Sequence, residues 1–480
     1  MGYLDIGIII FYLLLTLGIG FYANKKQKGV DDYYVGGRSV GSVSLMCLWM
    51  SAWIGGTSVM GTSSKAYEIG ISAVWYVGII GVGIVLFALV MVKPVKKLGD
   101  KLNNLTFPDF IESRYDSKTR LAATVTTILA YVAYTASQFV AGASILYAIT
   151  GWELWVCFVV VMAVIVVYTS FGGFLAVTYT DVVQMFLLIL GIVVLGIPMA
   201  SGYLQAQQLS IRDLPDSYFD IGAWGWSGIL ALGLSTIFSF FTSMDSYTKC
   251  FAAKDVKTAH RGTFMAAGAV VVIAVVSTYL GLAARVAFPA LESGSNSLAV
   301  LVIHAFPAGL KGMAMVGVLA AIMSTGDVCM LTTSANITRD IYQRYINPDV
   351  TERKMMVLGV CSSLGVGAVS AVFAWMNQDI IDVLFIAFTI NSAGLFLPTV
   401  CGLFWRKSSS NGAFASILTA LVIVIVWYVG AEVSDLALFK IEALWPAFGI
   451  SAIVYLIICL TGKQTEKEKE KIEEFLLIKR

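Results

Sequence analysis

Charge is what this 480-residue chain has least of. Only 13% of its residues are Asp, Glu, Lys or Arg, against roughly a quarter in soluble domains. That scarcity excludes an ordinary soluble globule. Histidine is nearly missing: His260 and His304 stand alone and cannot build a zinc site. The seven cysteines, Cys47, Cys157, Cys250, Cys329, Cys361, Cys401 and Cys459, sit in or beside apolar runs and form no CxxC pair. They read as small apolar fillers, not as a disulfide or metal framework. The net charge of +2 gives no bias toward nucleic acid or acidic partners. No nucleophile–base pair or metal-ligating cluster stands out, which disfavours a membrane enzyme.

What fills the chain is apolar: 58% of residues are hydrophobic and mean hydropathy is +0.83. Runs long enough to span a bilayer lie near residues 3–23, 41–70, 71–93, 120–149, 153–171, 177–200, 223–248, 262–288, 311–335, 354–376, 380–405, 411–430 and 443–461. The expectation is an all-α polytopic membrane protein of thirteen helices. The first run lacks a basic leader and is long enough to cross, so it reads as a retained helix, not a signal peptide. With the N-terminus outside, all but Lys65, Arg212, Arg285, Lys311 and Lys440 of the 32 lysines and arginines fall on the inner side. Positive charge favours the cytoplasm, so the C-terminus is expected inside. Residues 1–462 form one transmembrane domain, and 463–480 form a charged cytoplasmic tail, read as a solvated or interfacial helix.

One stretch organises the rest: Ser44–Gly70, SLMCLWMSAWIGGTSVMGTSSKAYEIG. It is long enough to cross yet carries Gly55-Gly56 and a series of hydroxyls. Irregular backbone inside a membrane survives only when buried in protein or lining a cavity. The stretch therefore reads as a helix interrupted near Ser51–Thr57, its freed carbonyls available to a cation or polar solute. Small residues at a plain helix–helix contact are the competing reading. Intramembrane carboxylates are functional candidates by default, and four qualify: Asp181, Asp245, Asp327 and Asp382. Asp181 could instead cap a helix, Asp245 could pair with Lys249 one turn on, and Asp382 reads as interfacial. Beside Asp327, Ser324 and Thr325 offer hydroxyl oxygens of the kind hard cations take. Those hydroxyls could equally bond back to their own helix.

The motifs DDYYVGGRSVG (31–41), LTFPDFIESRYD (105–116), GGFLAVTYTDVVQ (172–184), AAIMSTGDVCMLTTSANITRDIY (320–342) and WRKSSSNGAFAS (405–416) resemble, in this order, those of the sodium:solute symporter family. The resemblance runs from about residue 5 to 462. It implies a leucine-transporter-type core of two inverted five-helix repeats at about 41–405, with one extra helix before it (3–23) and two after it (411–461). It also implies alternating-access import of a small organic solute with sodium, with no cofactor, no nucleic acid and no obligate protein partner, in the plasma (inner) membrane. By similarity, sodium falls on the carbonyls of Ser51, Ile54 and Ala321 and the hydroxyls of Ser324 and Thr325. Asp181 matches the family's cation-coupling aspartate. The solute site is implied around Trp53, Thr57 and Ser58, with Phe139, Phe240, Ser243 and Asn391. The sugar-binding residues of the glucose branch have no match. Trp53 stands where the proline branch has an acid, as in choline transporters, but the rest of their aromatic cage is missing. An amino acid or carboxylate is the first expectation for the solute, with a quaternary amine or a sugar as alternatives. A non-transporting sensor or a uniporter on the same fold is the competing function.

Overall fold

The computed structural model describes residues 2–25, 38–291, 297–376, 380–434 and 436–479; the side chains of Thr57 and Asp382 lie outside the described set, as does most of the 31–41 motif. The chain is helical throughout: α1 (Tyr3–Asn24), α2 (Ser42–Trp53), α3 (Gly56–Ile69), α4 (Val74–Val90), α5 (Val92–Leu102), α6 (Phe107–Arg114), α7 (Ser117–Thr150), α8 (Leu154–Leu188), α9 (Gly196–Ala206), α10 (Trp226–Thr242) and α11 (Met244–Ala252). There follow α12 (Val256–Ala287), α13 (Ser297–Ala305), α14 (Leu310–Ala335), α15 (Glu352–Met376), α16 (Ile380–Ser392), α17 (Phe396–Phe404), α18 (Ser410–Val433), α19 (Leu444–Thr461) and α20 (Glu466–Lys479). Among the described residues, ten helical stretches are long and apolar enough to cross a membrane, or eleven if the bent pair α10–α11 is one span.

α14 is the axis of the molecule. Its most apolar stretch is wholly buried, and α1, α2, α7, α8 and α15 pack against it. At its start, Asp5 of α1 accepts from the backbone N–H groups of Gly309 and Gly312 at 2.7 and 3.1 Å. A carboxylate there satisfies donors that the first helical turn leaves open. The periphery is the reverse. α18 and α19 expose Val422, Ile425, Val426, Val429, Ile453 and Ile457, an apolar outer surface that suits lipid and not water.

Two breaks matter for the site, and the local sequence explains one of them directly. α2 ends at Ile54 (φ −110°, ψ 74°) and Gly55 is extended (φ −84°, ψ 180°) before α3 begins. The glycines are needed for space. A Cβ on Gly56 would lie 1.9 Å from Ile322 Cγ1, and one on Gly55 would lie 2.9 Å from Thr325 Oγ1 and 2.7 Å from Gln138 Oε1. The second interruption lies at Ser243 (φ −72°, ψ 129°), where α10 and α11 meet at a bend of 46°. The ends of the two broken helices are tied together: Val40 N–H donates to Ala252 O at 3.0 Å, and Lys254 N–H donates to Val40 O at 3.1 Å.

The connection between the expected spans 71–93 and 120–149 contains two short helices. α5 closes on a left-handed Asn103, and Thr106 with Asp109 caps α6. The tail, read as a solvated or interfacial helix, packs against the rest of the protein. α20 docks on α5 and α6, with Ile472 and Phe475 buried.

Candidate functional site

The break after α2 frees three successive carbonyls, because the residues four positions on no longer supply helical N–H groups. Each finds a hydroxyl from a different helix. Ser51 O accepts from Thr325 Oγ1 of α14 at 2.7 Å. Ala52 O accepts from Tyr134 of α7 at 3.0 Å. Trp53 O accepts from Ser58 Oγ of α3 at 3.1 Å. The interruption is thus a junction held by side chains that can turn away, with no helical ladder behind it.

Four of the five residues assigned by resemblance to one ion meet at this junction. Thr325 Oγ1 lies 2.7 Å from Ser51 O and 3.1 Å from Ala321 O, and Ser324 Oγ lies 3.0 Å from Ala321 O. Ile54, the fifth, forms the end of α2 itself. Both hydroxyls do bond back along their own helix, as the competing reading held, and Thr325 reaches across as well. Ser324, Thr325, Ser51, Ile54 and Ala321 are all completely buried.

Asp181 touches the same junction. It lies in α8 beyond Gly173, whose φ of 58° bends that helix, so it does not cap a helix start. Ser51 Oγ donates to Asp181 Oδ2 at 2.6 Å, while Asp181 Oδ1 has no partner among the described residues. Asp327 lies on α14, two residues beyond Thr325. Tyr168 OH donates to its Oδ2 at 2.5 Å, and its Oδ1 is also unpartnered. Gln138 Oε1 and Gln184 Oε1 are likewise buried without a donor. Buried acceptors are normally satisfied, so this part of the interior is rich in oxygen with little hydrogen to match it.

A second site lies on the other side of Trp53. Its indole stacks on Phe240, with ring centroids 3.6 Å apart at 17°, and faces Phe388 at 6.0 Å. A small cavity of about 10 Å³, around the space of one water, is lined by Trp53, Tyr131, Tyr134, Ser239, Ser243, Asp245, Phe388 and Asn391. The residues expected around the solute divide here. Trp53, Ser243 and Asn391 line the cavity, Phe240 backs Trp53, and Ser58 holds the Trp53 carbonyl. Phe139 packs elsewhere, edge-on to Phe158 at 6.3 Å. Thr57 lies outside the described side chains.

Asp245 anchors the second site. Trp53 Nε1 donates to its Oδ2 at 2.9 Å and Lys249 Nζ donates to the same oxygen at 2.7 Å. Tyr131 OH donates to Oδ1. The Lys249 pairing raised from spacing is therefore present, within a larger network. The sequence reading missed Tyr131, Tyr134 and Phe388. Tyr131 and Tyr134, three apart on one face of α7, were the available signal.

The fold is that of secondary transporters. It superimposes on a Na+-coupled sialic acid symporter, solved in a substrate-bound outward-open state, with a TM-score of 0.80 at 21% identity, covering 97% of this chain and 99% of that one. A nucleobase-cation-symport-1 family transporter follows, with a TM-score of 0.57 at 14% identity over 92% of this chain and 98% of that one. The chain belongs to the sodium:solute symporter family, whose model matches residues 33–420. Curated relatives include the high-affinity proline transporter PutP of Bacillus subtilis (strain 168), 26% identical over 95% of this chain and 98% of that protein. The sodium/pantothenate symporter of Escherichia coli (strain K12) is 25% identical over 94% and 95%. The protein is a multi-pass membrane transporter and not an enzyme.

Proposed function

We propose that this protein imports a small organic solute, an amino acid or carboxylate first, by sodium-driven alternating access. The observation that carries the reading is the convergence of Ser51 O, Ala321 O and the hydroxyls of Ser324 and Thr325 at a broken helix. Sodium needs several oxygens to replace its water. Here they come from two helices far apart in sequence, with the Ile54 carbonyl as the fifth donor. Binding the ion turns the Thr325 hydroxyl proton away from Ser51 O and exchanges one hydrogen bond for ion contacts. Asp181, one side chain away through Ser51 Oγ, supplies negative charge and couples the ion to movement of α8. The similarity to a proline transporter, a sodium/pantothenate symporter and a Na+-coupled sialic acid symporter supports coupling to organic solutes.

The same reading gives thirteen spans in two inverted repeats of five with three added helices. A 53-residue stretch, Leu154–Ala206, would extend roughly 80 Å at 1.5 Å per residue, so it crosses twice, turning at Gly173. Gly70, at φ 82°, likewise separates the α2–α3 span from α4. The N-terminus is external, the tail is cytoplasmic, and the membrane is the plasma (inner) membrane.

The test is thermal stability of the purified protein against a solute library in sodium and in potassium. The expected result is a solute that stabilises chiefly in sodium. Stabilisation of equal size in both salts would contradict coupling.

A further inference from the structure

The aromatic donors of the pocket beside Trp53 are already engaged. Trp53 Nε1 and Tyr131 OH both point at Asp245, and Tyr134 OH points at Ala52 O at 3.0 Å. The acceptors remain. Asn391 Nδ2 faces Thr242 Oγ1 at 3.2 Å, and that hydroxyl already donates to Phe238 O at 3.0 Å. The Asn391 amide nitrogen is therefore fixed toward Thr242, and Asn391 Oδ1 is left buried with no donor among the described residues. A wall of carboxylate, amide oxygen and aromatic faces complements a cationic nitrogen. One cation is already in place. Lys249 Nζ sits 2.7 Å from Asp245 Oδ2, with side chains 3% and 5% exposed.

A buried ion pair cannot lose one member cheaply, so a solute that takes Asp245 has to leave Lys249 with a counter-charge. A zwitterion does this and a bare amine does not. Lys249 also has somewhere to go. Its ammonium lies 5.1 Å from the Trp49 ring centroid. A second cavity, about 30 Å³ and bounded by Leu48, Val328 and Thr332, opens beside Asp245 and Lys249.

We propose that Asp245 and Lys249 are the specificity pair of this transporter: the solute is a zwitterion whose ammonium displaces Lys249 from Asp245 and whose carboxylate then pairs with Lys249. Lys249 is thus a tethered stand-in for the solute's ammonium. No bond is made or broken and buried charge stays balanced throughout. The inference rests on the solute-pocket reading above, and its test separates the two.

The experiment is thermal stability of the purified full-length protein in sodium and in potassium. The probes are the twenty common L-amino acids and glycine betaine, each L-amino acid being matched by its decarboxylated amine and its 2-hydroxy acid. Wild type should be stabilised by one or more zwitterions and at least tenfold more weakly by the matched amine and hydroxy acid. Asp245→Asn, isosteric, should weaken zwitterion binding at least tenfold while keeping the wild-type response to sodium alone. Lys249→Gln should erase the preference for the amino acid over its amine. No preference for zwitterions across the panel overturns the proposal, and that readout needs no variant to fold. An Asp245→Asn protein that binds zwitterions as the wild type does overturns it equally. A wild type indifferent to sodium counts against sodium coupling alone, because the zwitterion preference is still read in potassium.

Discussion

Gly56 shows how one residue sets the site. A methyl there would lie 1.9 Å from Ile322 Cγ1, so Gly56→Ala forces α3 and α14 apart at the junction. The expected cost is about 1–3 kcal/mol, read as a lower unfolding temperature. Adding Ile322→Ala should restore part of it, since the two sites share one contact; fully additive losses would contradict the packing. Asp181 gives a different kind of test. Asp181→Asn can keep the bond from Ser51 Oγ, made at 2.6 Å, but loses the charge. The variant should insert and fold while sodium-dependent uptake falls to background, whereas wild-type uptake would reduce Asp181 to a structural hydrogen-bond acceptor. Ser334 is the control within α14. Its hydroxyl donates to Gly359 O at 2.8 Å, so Ser334→Ala should cost about 1 kcal/mol of stability and leave the sodium response alone.

The tail helix is fastened by charge and, along its length, by an apolar face. Lys471 Nζ donates to the carbonyls of Glu112 and Tyr115 at 2.5 Å each, and Phe475 packs edge-on to Phe110 at 5.7 Å. Phe110 in turn touches Tyr247 of α11 at 4.9 Å, so α20 and the second half of a broken helix share one cluster. Phe475→Ala should loosen docking by about 2 kcal/mol, measured as faster tryptic cleavage after Lys469. An unchanged cleavage rate would mean that the apolar face does not hold the helix. Glu112 fastens the same region. Burial alone would raise its pKa, but hydrogen bonds from Ser117, Arg120 and Arg344 hold it below the usual carboxylate range. Its contribution is therefore present above the ordinary glutamate pKa and is lost as pH falls through the lower, folded value; α6 should stay docked at neutral pH and release only in acid. These features differ in how far the sequence shows them. The α2–α3 break is legible because paired glycines have a local consequence. The α10–α11 break carries neither glycine nor proline at Ser243, so its bend comes from packing. Thr325 and Ser51 are 274 residues apart, and Tyr131 and Asp245 are 114 apart; no local pattern joins such pairs, and only the family resemblance linked the first. The Thr106–Asp109 cap is a local signal for α6, but both helices are too short and too charged to stand out among the apolar runs. Ile472, Phe475 and Ile478, three apart in a charged tail, give one apolar helix face without showing what covers it.

The distribution of lysine and arginine predicts a topology that labelling can read. Ser117 and Ser217 are both exposed. In a Cys361→Ala background, which removes the exposed native thiol, a membrane-impermeant maleimide added outside should label Ser217→Cys and miss Ser117→Cys. The reverse pattern would invert the orientation. The central claim is that one sodium ion ties α2 to α14 through Ser51, Ile54, Ala321, Ser324 and Thr325, and so holds the two repeats in the state that accepts solute. Linkage then requires that weakening the ion weakens the solute in proportion. The most direct measurement is a sodium titration of thermal stability, with potassium as the balancing salt, for wild type, Ser324→Ala, Thr325→Ala and Ser334→Ala. Wild type and Ser334→Ala should share one half-saturating sodium concentration, and Ser324→Ala and Thr325→Ala should each need at least tenfold more. A single unchanged titration curve for all four proteins, or no sodium response in the wild type, would contradict the account.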